Sequence, residues 1–414
     1  MIHRFRQDRR SDPAAPRWRR PVAAVSATLA VLAGAVSMSP GLAHADDTTP
    51  GQVTSTAPLT ARATLPGSVD GKRIVYWTTG IKGAPAQSSA AVYFPPGQPP
   101  EGGWPVIAWA HGTTGLDDAC AYSINGPILP DRDWAYLGRW MQQGYAIVAA
   151  DYVGLGTPGA HPYLDGKTEA HSVVDAVKAA TATYPSLAGK WVTVGQSQGG
   201  GAAMFTARYA DDFGGNSGGL SYRGAVATGV PAYIEDAIPL VARPGVVPVP
   251  LGNTLPETTS YVLYILSGLR ASFPEWNVDS YLTPYGRHWV DEAEGPLCDT
   301  TEGPGQDYGF GDVIRKSNVI TGNFYSRPLD HIAGFAGALK NYMGVPESGY
   351  HQPVLIGQGL RDTDVNAAGT LLLAQRMKNN GQPVTLKTYD LDHSGTVNAS
   401  LADSIPFVHR LFAT

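Results

Sequence analysis

The stretch Trp191-Val192-Thr193-Val194-Gly195-Gln196-Ser197-Gln198-Gly199-Gly200-Gly201 decides how this chain is read. A β-branched run gives way to a Gly-x-Ser-x-Gly turn and then to a helix-forming run of small residues. A serine hydroxyl is a poor nucleophile unless the backbone exposes it and a base removes its proton. A tight strand-to-helix turn exposes it, and the helix behind aims its N-terminal N–H groups at developing negative charge. The flanking glycines leave room for the turn. The pattern points to a serine hydrolase, provided a carboxylate and then a histidine follow.

The motif alone is weakly specific, because glycine supplies 49 of the 414 residues. A second match, Gly215-Asn216-Ser217-Gly218-Gly219, has no strand before it and a strand-like run, Tyr222 to Thr228, after it. Ser217 therefore reads as a turn residue, and Ser197 as the candidate nucleophile.

Strand-like runs recur at Arg73–Thr78, Ala90–Phe94, Pro105–Ala110, Tyr145–Ala150, Ala225–Thr228, Val354–Ile356 and Val384–Tyr389. Helical patterns over Glu169–Tyr184, Gln198–Tyr209 and Ala367–Asn380 lie between some of them. Continuous apolar strands alternating with helices predict an α/β fold of the α/β-hydrolase plan, a mainly parallel sheet with flanking helices. The spacing breaks after strand six, where residues 231–351 form an expected helical cap or lid insertion. The core is then residues 66–230 completed by 352–414. Within the cap, Tyr261–Leu266 and Ile332–Leu339 are apolar enough to form its core, to line an acyl-chain tunnel, or both.

The base that suits Ser197 is His393, in Asp390-Leu391-Asp392-His393-Ser394-Gly395, on the loop after the last strand. His161, His171, His288, His331 and His351 precede the acid candidates and break the order Ser, Asp, His. The acid lies in Gly359-Leu360-Arg361-Asp362-Thr363-Asp364-Val365, with Asp362 the first choice and Asp364 the alternative. Such a carboxylate fixes the imidazole tautomer without taking the proton. Asp362-x-Asp364-x-Asn366 resembles the start of a calcium loop, but Ala367 stands where glycine is required and Leu373 where the closing glutamate belongs. No metal or cofactor is expected. An oxyanion hole needs two donors: the Gln198 N–H, and the N–H of Thr113 (or Thr114) in His111-Gly112-Thr113-Thr114-Gly115, which His111 would brace.

Residues 1–45 read as an export signal: seven arginines in the first twenty positions, an apolar run to Met38, and Ala43-His44-Ala45 as a cleavage site. Residues 46–65 read as a flexible N-terminal arm. The net charge is −5, and losing the arginine-rich start makes the remainder more acidic, which argues against nucleic acid as a partner. In an exported chain, the two cysteines Cys120 and Cys298 are expected to pair, with two buried thiols the alternative.

His111-Gly112-Thr113-Thr114-Gly115 with Cys120 after it, the run Asp151-Tyr152-Val153-Gly154-Leu155-Gly156-Thr157-Pro158-Gly159-Ala160-His161-Pro162-Tyr163-Leu164, and Gly195-Gln196-Ser197-Gln198-Gly199-Gly200 together resemble the secretory lipase family of α/β hydrolases. The resemblance extends from about residue 70 to the C-terminus. It implies a secreted carboxylic-ester hydrolase, lipase or esterase, with a helical cap and the triad Ser197, Asp362 and His393. It also implies a cap held to the core by a disulfide, which fits Cys120 and Cys298. Gln196 departs from the His or Tyr common before the nucleophile. The expected partners are an ester or lipid substrate and a lipid–water interface, with no stable protein partner. An acyltransferase, a serine peptidase, or a non-catalytic binding domain on the same fold are the competing readings.

Overall fold

Nine strands form one mixed sheet in the computed structural model, which describes residues 48–246, 255–299 and 309–413. They are β1 (Val53–Pro58), β2 (Val69–Thr79), β3 (Pro85–Phe94), β4 (Trp104–Ala110), β5 (Ala146–Ala150), β6 (Leu187–Gln196), β7 (Ser221–Thr228), β8 (Val354–Gly359) and β9 (Val384–Tyr389). Their order across the sheet is β1-β2-β3-β5-β4-β6-β7-β8-β9. The contacts from β1 to β5 are antiparallel, and those from β5 through β4 to β9 are parallel.

The central strands form because their side chains are apolar on both faces. Along β4, Val106, Ala108 and Ala110 pack on one side and Ile107 and Trp109 on the other, all buried. Alternation of side chains in a strand makes this possible, and helices must then cover both faces. The helices Gly166–Thr183, Gln198–Tyr209 and Ala367–Asn379 cover the first face, and Pro130–Met141 and Leu401–Ala413 the second. Val173, Val174, Val177 and Ala180 supply the buried stripe of Gly166–Thr183, at the helical spacing read from the sequence.

One expectation is corrected. Val53–Pro58 lies inside the segment read as a flexible arm, yet it is the edge strand β1, paired with β2. It is nearly all exposed, so it carries no apolar alternation; backbone hydrogen bonds to β2 hold it. The expected export signal, 1–45, lies outside the described residues. Among the described residues, no helix is long and apolar enough to cross a membrane.

Between β7 and β8 the chain forms the helices Ile234–Val241, Leu255–Ser272, Pro284–Ala293, Phe310–Lys316 and Phe335–Met343 around an apolar core of their own. Val262 to Leu266 are buried within that core, as are Ile332, Phe335 and Leu339. The first stretch is therefore interior to this insertion and the second contributes Ile332, Phe335 and Leu339 to it, and from the first only Tyr261 reaches the cavity beside Ser197. Cys120 and Cys298 form a disulfide across a separation of 178 residues. The Asp299 N–H next to it donates to the Thr114 carbonyl at 2.9 Å, so the insertion is fastened to the loop after β4.

Candidate active site

Strand β6 ends at Gln196, and the next helix starts at Gln198. Ser197 between them has φ 61° and ψ −124°, a conformation that costs a non-glycine residue free energy and persists only where packing enforces it. Its N–H donates to the Thr228 carbonyl at 2.9 Å. The two flanking glycines permit the close approach: a Cβ at Gly195 would lie 2.0 Å from the Gly199 carbonyl oxygen, and one at Gly199 would lie 1.9 Å from that of Ala110. Ser217, by contrast, hydrogen-bonds the Gly214 carbonyl in an exposed turn.

His393 begins the helix His393–Ala399, capped by Asp392, whose carboxylate accepts the Gly395 N–H at 2.7 Å. Its Nδ1 lies 2.7 Å from Asp362 Oδ2. A carboxylate only accepts, so Nδ1 carries a proton. Asp362 follows β8 and is buried; its Oδ1 accepts the N–H groups of Asp364 and Val365, and Gln358 Nε2 donates to its Oδ2. Of the two acid candidates, Asp362 meets the imidazole, while Asp364 lines the cavity. Ser197 and His393 line this same cavity of about 210 Å³. No hydrogen bond joins them here, because Gln196 Nε2 lies 2.8 Å from His393 Nε2 instead.

The loop after β4 borders the cavity with Gly112, Thr113 and Thr114. His111 packs between the rings of Tyr122 and Tyr152, and burial lowers its pKa to about 4, so it stays neutral. The Gln198 N–H lies in the first helical turn, where no intrahelical acceptor exists. Both segments are braced by Asp151–Leu164. Tyr152 Oη donates to the His111 carbonyl at 2.9 Å, the Tyr163 hydroxyl lies 2.7 Å from Thr113 Oγ1, and His161 Nε2 lies 2.9 Å from Gln198 Nε2. Asp151 anchors the start of that run, accepting from the hydroxyls of Ser89 and Ser123 and from the Ser123 N–H. The run is rich in glycine and proline because its tight path must deliver these three side chains.

Glu169, His161 and Arg132 were not singled out for roles at the site in the sequence. The Gln198 amide donates to Glu169 Oε1 at 2.8 Å, and the Leu164 N–H also donates to that oxygen. Burial raises the pKa of the Glu169 carboxyl to about 8 from its ordinary value of 4.5. Two buried polar residues flanking a serine at the end of an apolar strand were the only available signal, and their partners are distant in sequence. The raised pKa has a testable sign. The folded chain holds this proton more tightly than the unfolded chain does. The resulting stability is complete below 4.5 and lost as pH rises through about 8. Glu169→Gln keeps the acceptor without the charge, so the difference in urea-unfolding free energy between variant and parent should change in favour of the variant as pH rises through that window.

Among the described residues, no group of three or more His, Cys, Asp or Glu side chains is placed to hold a metal ion. A strained serine on a strand–helix turn, a histidine–aspartate pair at the same sheet edge, and a mixed, mainly parallel sheet covered on both faces define an α/β hydrolase. Residues 128–239, which contain the elbow and the Asp151–Leu164 run, match the family model described as secretory lipase, so the resemblance read from the sequence holds over that segment. The fold is similar to lipase A of Candida antarctica in its closed state, with TM-score 0.69 and 18% identity over 88% of this chain and 82% of that one. It is also similar to the rice cell wall degrading esterase LipA of Xanthomonas oryzae, with TM-score 0.63 and 19% identity over 87% and 98%. A putative hydrolase of Legionella pneumophila aligns with TM-score 0.66 and 20% identity over 87% and 98%. No curated protein sequence matches the chain significantly.

Proposed function

We propose that this chain is a secreted carboxylic-ester hydrolase of the lipase or esterase type, working through Ser197, His393 and Asp362 and an acyl-enzyme. The single observation that carries the reading is the 2.7 Å pairing of His393 Nδ1 with Asp362 beside a cavity that the strained Ser197 also lines. The secretory lipase match, and fold neighbours described as a lipase and an esterase, support the substrate class.

In this mechanism His393 Nε2 takes the Ser197 proton as Oγ attacks the ester carbonyl carbon. The N–H groups of Thr113 and Gln198 stabilise the oxyanion. The leaving alcohol takes the proton from His393, and water, activated by the same imidazole, releases the acid. Asp362 orients the ring and stabilises its charged form. Residues 231–351 act as a cap over the core formed by 66–230 and 352–414, and residues 1–45 as the export signal, cleaved after Ala45.

Hydrolysis of nitrophenyl esters from acetate to palmitate, measured beside peptide substrates and with an added alcohol acceptor, tests the reading. Ester turnover by the parent and none by Ser197→Ala is the expected result. Preference for the peptides would make the chain a peptidase, and dominant transfer to the alcohol an acyltransferase. A rate that jumps when the ester forms an emulsion would mark a lipase acting at the lipid–water interface. No turnover, with no labelling of Ser197 by a fluorophosphonate, would mean a binding domain.

A further inference from the structure

The residue before Ser197 carries a second inference, which rests on the hydrolase reading. Gln196 is 3% exposed, and its carboxamide is held at both ends. Its Nε2 lies 2.8 Å from His393 Nε2, and its Oε1 lies 3.4 Å from an Nη2 of Arg132. A guanidinium offers only N–H groups, so the amide oxygen belongs on its side and the amide N–H on the imidazole side. Arg132 is itself fixed, by Asp133 at 2.6 Å and by Asn398 Nδ2, which donates to its carbonyl from the helix that His393 begins.

This arrangement fits one form of the imidazole. A donor facing Nε2 is satisfied only if Nε2 has its lone pair, which leaves the proton on Nδ1 opposite Asp362. A charged ring would set N–H against N–H. Turning the amide over would relieve that conflict and create the same one at Arg132. The arm also has a cost, because Nε2 is the atom that must accept the Ser197 proton.

We propose that Gln196, oriented by Arg132, is a positioning residue that keeps His393 neutral and in the Nδ1–H tautomer in the resting site, and that yields Nε2 to Ser197 when an ester enters. The other charged groups around the ring pull in different directions. Asp362 on its Nδ1, with Asp133, Asp299 and Asp364 on the cavity wall, favours the imidazolium, and Arg132 opposes it. The arm is the counterweight to Asp362 that stops the resting base from being lost to protonation.

The test is a ring-nitrogen NMR titration of His393 without substrate, beside the pH profile of kcat/KM, in the parent, Gln196→Leu, Gln196→Met, Gln196→Glu and Arg132→Met. The parent ring is expected as the Nδ1–H tautomer. Gln196→Leu should raise the protonation midpoint and the acid limb together by about half a pH unit or more, the equivalent of one ordinary hydrogen bond. Gln196→Glu should raise both further, since a carboxylate accepts from the charged ring. Arg132→Met both removes a cation and frees the amide to turn over and should act in the same direction. Gln196→Met, which keeps the length without the donor, preserves the test if Gln196→Leu fails to fold. Unchanged midpoints in every folded variant, or an Nε2–H tautomer in the parent, would overturn the inference. Because the titration needs no turnover, a chain that hydrolyses no ester would sink the hydrolase reading and leave this measurement interpretable.

Discussion

Replacing Ser197 by alanine is expected to abolish ester hydrolysis, by about 10⁴-fold or more in kcat, while leaving the fold intact. The loss is large because no other group in the cavity takes the place of the attacking oxygen. The fold survives because Ser197 Oγ makes no hydrogen bond among the described residues, and the turn is held by the backbone N–H on the Thr228 carbonyl and by the packing of Gly195 and Gly199. The thermal midpoint of Ser197→Ala should therefore match that of the parent, and its labelling by a fluorophosphonate should vanish. Ser217→Ala is the internal control. Ser217 sits in an exposed turn bonded to the Gly214 carbonyl, so its removal should leave turnover unchanged. Activity lost at Ser217 and kept at Ser197 would mean that the wrong one of the two glycine-flanked serines had been chosen.

Asp362→Asn should cost nearly as much, about 10⁴-fold in kcat, whereas Asp364→Asn should stay within a few-fold of the parent. The asymmetry follows from what each carboxylate touches. Asp362 Oδ2 accepts the His393 Nδ1 proton at 2.7 Å, and its Oδ1 holds the N–H groups of Asp364 and Val365. An asparagine can keep the two backbone bonds with its oxygen, but its NH₂ then faces Nδ1. The ring answers by moving its proton to Nε2, which removes the lone pair that Ser197 needs. Asp364 lies on the cavity wall without this contact. Rate constants for the two variants on one ester, with circular dichroism to verify folding, decide the assignment. A large loss at Asp364 alone would transfer the orienting role to it.

The parts of this molecule that were legible beforehand share one property: their cause is local. β4, β5, β8 and the later parts of β6 and β7 announced themselves as largely apolar runs, because burial on both faces leaves little place for polar residues, whereas the edge strand β9 exposes Thr385, Lys387 and Thr388. The helix Gln198–Tyr209 has the bounds that its sequence pattern predicts. β1 was hidden for the opposite reason. Val53-Thr54-Ser55-Thr56-Ala57-Pro58 is an exposed edge held by main-chain bonds, which composition does not record. The Asp151–Leu164 run was recognisable as a rigid loop at a strand end. That its Tyr152, His161 and Tyr163 reach both segments proposed to hold the oxyanion depended on three separate contacts across the fold.

From its order of residues alone, this chain determined that a serine would stand on a strained strand–helix turn, and that a carboxylate and then a histidine would follow at later strand ends. Short-range sterics and the apolar pattern of each strand are enough for that. Only the tertiary structure decided that Asp362 and not Asp364 meets His393, that Glu169 and His161 hold Gln198 from behind, and that Nε2 of His393 faces Gln196. A side-chain hydrogen bond needs its two atoms within a few tenths of an ångström of their proper separation. Gln196 and His393 are 197 positions apart, and the packing of the whole sheet with its helices sets the distance between them.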